Sequence, residues 1–122
     1  MSGTTENYSV DKYLEEIFGT LGNYPPALTT MAENAEEAFK GYAKFRHEVY
    51  HGALPTQYVE LLLVILDVVS NNLDGAKNHL NAAYKEGLKK EELVNALLAV
   101  IMVRGIAPWG LVGYKLLLDE EN

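Results

Sequence analysis

The stretch QYVELLLVILDVVS, residues 57–70, decides how the rest of the chain reads. Its apolar side chains, Val59, Leu61, Leu62, Leu63, Val64, Ile65, Leu66, Val68 and Val69, lack the alternation of a strand. Wound at helical pitch they cover nearly the whole circumference. A helix that is apolar all round is central and contacted on every side, with other subunits as candidate neighbours. Glu60 and Asp67 are its exceptions, two turns apart and so roughly on one face.

Outward from this helix the same periodicity continues. Upstream, Leu54 and Pro55 form a break, and Thr56 offers a hydroxyl for the helix N-cap. Before that break, residues 27–50 step by three or four through Leu28, Met31, Ala35, Phe39, Tyr42, Phe45 and Val49. This predicts one extended helix with a weak point at Gly41. A first amphipathic helix is predicted over 8–21, ended by Gly22, Asn23, Tyr24, Pro25 and Pro26. Downstream, Asn71 and Asn72 suit a turn, and Asn72 or Asp74 can cap a helix that carries His79 and runs to a C-cap signal at Gly87. Glu91 and Glu92 open a fifth helix through Leu93, Leu97 and Ile101, interrupted at Gly105 and Pro108. A last segment over 109–118 precedes the acidic Asp119, Glu120 and Glu121. No alternating strand pattern bounded by turns is found, so the expectation is an all-α domain of about six helices over 1–122.

Composition narrows the function. A chain of 122 residues with 48% apolar content can bury one core. A net charge of −7 opposes a surface made to grip nucleic acid or anionic lipid. The opening MSGTTENYSV lacks the basic and apolar regions of a signal peptide, and no stretch has the length of a membrane span. The expectation is a cytoplasmic protein with no nucleic-acid or membrane partner. With no cysteine there is no thiolate nucleophile, disulfide or thiolate metal site.

An ordered series of signals begins at Gly52-Ala53-Leu54-Pro55. Glu60 opens the apolar helix, a turn follows, and His79 comes nineteen positions after Glu60. Next come Ala82-Ala83, Gly87, the Glu91-Glu92 pair with Leu93, the Ala96-Leu97-Leu98 run, and a glycine followed shortly by proline. This series resembles the core of the carboxymuconolactone decarboxylase and alkylhydroperoxidase D family, and the family-like core spans 52–117. In the peroxidase branch a Cys-x-x-Cys stands between the glutamate and the histidine. Here those positions are Asn72 and Gly75, so the resemblance does not carry thiol-based peroxide reduction with it. The decarboxylase branch also lacks the cysteines and keeps the histidine, and this chain is nearer to it. That branch usually has a glutamate four residues before the histidine, where this chain has Gly75, and its Gly-x-Pro is altered to Gly105-Ile106-Ala107-Pro108.

The resemblance implies a lyase of the decarboxylase kind acting on a small carboxylated or lactone-like molecule, with no cofactor, as a homotrimer or homohexamer. In that reading His79 moves the proton and Glu60 orients it, since imidazole exchanges protons near neutrality. The alternative is a relative that binds a ligand or assembles without catalysis, in which Glu60 merely stabilises a helix N-terminus. Asp67 and Arg104 are charges set in apolar runs. A salt bridge between them is the plain expectation, and recognition of a substrate carboxylate by Arg104 or Lys77 the sharper one. Trp109 can line the same apolar pocket. His47 and His51 are four residues apart but lack the context of a helical zinc site, so no metal is expected.

Overall fold

The computed structural model describes residues 9–18 and 26–118, all helical or in turns and loops. The predicted helix start at Tyr8, the stop at 22–25 and the acidic Asp119, Glu120 and Glu121 lie outside the described residues. Seven α-helices and a closing 3-10 turn are present among them. The chain divides into two units, residues 1–51 and 52–122.

In the first unit, α1 (Val10–Phe18), α2 (Pro26–Asn34) and α3 (Glu36–Tyr50) enclose Tyr13, Leu14, Ala32, Phe39 and Ala43. Tyr13 meets Phe39 edge-to-face, centroids 6.3 Å apart at 80°, the arrangement that the ring quadrupoles favour. The single helix expected over 27–50 is two. Ala35 leaves the helical region at φ −152° and ψ 67°, although Ala35 N–H still donates to Met31 O and Phe39 N–H to Ala35 O. Local propensity would run straight through an alanine. The kink instead lets Ala32 and Phe39, on either side of it, turn into one core. Gly41, the expected weak point, sits within unbroken helix.

In the second unit, α4 (Thr56–Val69) and α5 (Leu73–Lys85) form an antiparallel pair. α6 (Lys90–Arg104), α7 (Ala107–Leu111) and the 3-10 turn Gly113–Leu117 complete it. Its core gathers Val64 and Val68 from α4, Ala76, Leu80 and Ala83 from α5, then Leu88, Leu93, Leu97, Val112 and Leu116. α4 begins at Thr56, but Pro55 occupies the cap position. Its carbonyl accepts from Tyr58 and Val59, and no side chain caps the end.

α5 follows its sequence signals closely. Asn72 is the N-cap, its Oδ1 accepting from Gly75 N–H at 3.0 Å. At the other end Gly87 takes φ +105°, Gly87 N–H donates to Tyr84 O, and Leu88 N–H reaches back to Ala83 O. This is a Schellman closure, and it drops Leu88 into the core. The small Ala76 and Ala83, fully buried one above the other on α5, let α4 approach closely. That close approach brings the two helices' polar groups within reach of each other. No helix among the described residues is long and apolar enough to cross a membrane.

Candidate functional site

Glu60, Val64 and Val68 recur at intervals of four on α4, the stripe that faces α5. Glu60 is the fifth residue of α4, beyond the first turn where a helix dipole acts, and only 8% of its side chain is exposed. Among the described residues it is the one charged side chain in the buried set. A buried carboxylate without a partner would cost about 3 kcal/mol or more. Its partner is His79, three residues after Ala76 on the facing side of α5, whose Nδ1 lies 2.7 Å from Glu60 Oε1. An ionised carboxylate only accepts, so the Nδ1–H of His79 donates. With Nδ1 committed to Glu60, Nε2 is the nitrogen left to exchange a proton. The ring is 33% exposed, so it meets solvent at the edge of the helix pair.

Asp67, two turns on, does not pair with Arg104. Its Oδ1 accepts from Asn72 Nδ2 at 3.4 Å, and its backbone carbonyl accepts from Asn72 N–H at 2.8 Å, so Asp67 fastens the α4–α5 turn. The expected salt bridge fails because the turn supplies a nearer donor. Gly75 is part of the same arrangement. A Cβ there would stand 2.6 Å from Asn72 Nδ2 and 2.7 Å from Asp67 Oδ2, so neither a cysteine nor a glutamate could replace Gly75 without displacing them.

The other candidates are dispersed. Arg104 ends α6 and lines a cavity of about 220 Å³ with Val68, Val69, Asn71, Ala107, Pro108 and Leu111; neither Glu60 nor His79 lines it. Lys77 is two residues before His79, hence on another side of α5. Trp109 is half-buried against the core of the second unit, packed over Gly113. In the first unit His47 Nδ1 bonds Glu16, and His51 Nδ1 lies 2.8 Å from His47 O. The two rings stack 3.9 Å apart. No group of three or more potential metal ligands occurs among the described residues.

One polar pair escaped the sequence reading. Tyr58 donates to Glu92 Oε2 at 2.9 Å, tying the first turn of α4 to the first turn of α6. Glu92 Oε1 also accepts from Lys89 N–H at 2.9 Å, so it caps α6 with the same carboxylate. The Lys89 backbone bond and then the Tyr58 bond hold the Glu92 carboxyl below its usual range, and the bond to Glu92 raises the Tyr58 phenol. The acidic pair was visible as the opening of a helix, but the cap that Glu92 makes and its long-range partner were not.

Comparison with known proteins follows the same lines. The sequence profile of the carboxymuconolactone decarboxylase family matches residues 36–109, more than half of the chain. No curated protein matches. A crystal structure from Burkholderia xenovorans LB400, of a protein provisionally assigned as a carboxymuconolactone decarboxylase, is similar to this chain at 30% identity and a TM-score of 0.78. The match covers 95% of this chain and 88% of that one. Helical architecture, the extent of the profile match and the solved relative agree: the chain belongs to the carboxymuconolactone decarboxylase family.

Proposed function

We propose that the protein is a proton-transfer catalyst of the decarboxylase kind, acting on a small carboxylated or lactone-like molecule through His79 and Glu60. The observation that carries this reading is the 2.7 Å bond from His79 Nδ1 to a glutamate buried to 8% exposure. A buried carboxylate on one nitrogen of a solvent-touching imidazole fixes the tautomer and supports the imidazolium that forms when Nε2 takes a proton. For loss of carbon dioxide, the carbon–carbon bond to the carboxylate breaks and its electron pair passes to an adjoining conjugated carbonyl. The proton held on Nε2 then quenches the carbanionic carbon. Membership of the family supports this chemistry over thiol chemistry, since Asn72 and Gly75 stand where the peroxidase branch has cysteines.

The test is carbon dioxide release from a carboxylated muconolactone by the parent protein and by His79→Gln, which keeps a hydrogen-bond donor toward Glu60. Loss of two or more orders of magnitude is expected, in keeping with the ~10²–10⁴ worth of general acid–base catalysis. Unaltered turnover in His79→Gln would remove the histidine from the chemistry.

Self-association belongs to the same proposal. Leu62 and Leu66 on α4 and Leu98, Met102 and Val103 on α6 are exposed. A shallow apolar groove of about 490 Å³ runs between the two helices, past Leu54, Tyr58, Leu61, Ile65, Ala96 and Val100. Contiguous apolar surface of this kind favours a symmetric homo-oligomer, the trimer or hexamer that the family resemblance implies.

A further inference from the structure

The geometry points to a second binding site, for a small monocarboxylate with a compact apolar body, in the cavity under Arg104. The reversal that builds it starts at Gly105, whose φ of +77° ends α6 and sends the chain into α7. The short α7 then faces the C-terminal end of α4, leaving a half-open pocket of about 220 Å³ lined by Val68, Val69 and Pro108 and, toward solvent, by the exposed Ala107 and Leu111. Drug-sized ligands occupy ~300–1,000 Å³, so this space takes a smaller molecule.

Two polar groups stand on these apolar walls. Arg104, exposed at the rim, is the one charged residue of the lining, and its guanidinium makes no ion pair or hydrogen bond among the described residues, its expected partner Asp67 being held by Asn72. Asn71 sits in the left-handed region at φ +60° at the tight α4–α5 turn, and its amide is the second lining group able to donate. A planar guanidinium matches a carboxylate in two-point geometry, while a single cation in a chain of net charge −7 suits a monoanion better than a polyphosphate. The walls carry no hydrogen-bonding side chain besides these, so the rest of the ligand is apolar. Val68 lies eight residues beyond Glu60 on α4, about 12 Å at helical rise, and the site does not depend on the proton-transfer reading.

The test is titration of the full chain with sodium benzoate, followed by backbone amide NMR, with benzamide as the uncharged analogue. Benzoate is expected to move the amides of Val68, Val69, Asn71, Ala107 and Leu111, and benzamide to bind much more weakly. Arg104→Gln should weaken benzoate by about tenfold or more, and Arg104→Lys by less, because lysine keeps the charge but loses the fork. Leu111→Trp, which fills the cavity without touching the charge, should abolish binding, while His79→Gln should bind benzoate as the parent does. The proposal is overturned by benzamide binding as tightly as benzoate, or by Arg104→Gln within about twofold of the parent. Shifts confined to the neighbourhood of Glu60 and His79, or no saturable binding, would overturn it equally.

Discussion

The Asp67 carboxylate and Gly75 are fitted to each other: Oδ2 stands 2.7 Å from the point that a Cβ on Gly75 would occupy, and Asn72 Nδ2 stands 2.6 Å from it. Gly75 is helical, so the requirement is for space and not for an unusual backbone angle. Gly75→Ala should therefore destabilise the fold by about 1–3 kcal/mol, the usual cost of overpacking, despite alanine's better helix propensity. Urea unfolding that shows an unchanged or raised midpoint would mean that the turn gives way freely.

Two other glycines separate the causes. Gly87 has open space around its missing Cβ but lies at φ +105°, so Gly87→Ala should cost roughly 1–2 kcal/mol through backbone strain alone. Gly41 has equal space within regular helix, and Gly41→Ala should stabilise by about 0.5–1 kcal/mol. Thermal melts of the two variants should move in opposite directions.

The Tyr58–Glu92 bond makes stability depend on pH at both ends of the range. Glu92 has its pKa lowered from 4.5, so its contribution is present above that value and fades as pH falls through the depressed one. Tyr58 has its pKa raised from 10.0, so its contribution is present below that value and is lost as pH rises through the elevated one. Tyr58→Phe should flatten the alkaline limb and part of the acid limb of a denaturation profile. Glu92→Gln should flatten the acid limb more, because it also loses the charged cap on Lys89 N–H. Limbs unchanged in both variants would show that the bond does not form in solution.

How far the sequence could be read follows from the kind of interaction involved. The ends of α5 were legible because Asn72 and Gly87 act on backbone groups within a few residues of themselves. The pairing of Glu60 with His79 was legible through the family resemblance, and the helix, tight turn and second helix between them carry its nineteen-residue register without a long loop. The kink at Ala35 was not, since alanine carries no local signal and the cause is the packing of Ala32 and Phe39 on Tyr13. Arg104 and Asp67 were matched by charge alone. The nearer Asn72 amide decided the outcome, a choice that depends on turn geometry.

Self-association should be visible in sedimentation. The parent is expected to run as a trimer or hexamer, and Leu62→Glu or Met102→Glu, each placing a charge on an exposed apolar face of α4 or α6, should shift it toward monomer. A parent that is monomeric across the accessible concentration range would contradict the assembly.

The acid–base role of His79 is tested most directly by nitrogen NMR of its imidazole at a pH where the ring is neutral, in the parent and in Glu60→Gln. The expected result is the Nδ1–H tautomer in the parent, with Nε2 free as the proton acceptor, and loss of that preference in Glu60→Gln, whose amide can donate as well as accept. A parent ring protonated on Nε2, or a tautomer indifferent to the glutamate, would contradict the assignment of the pair as a proton-transfer device.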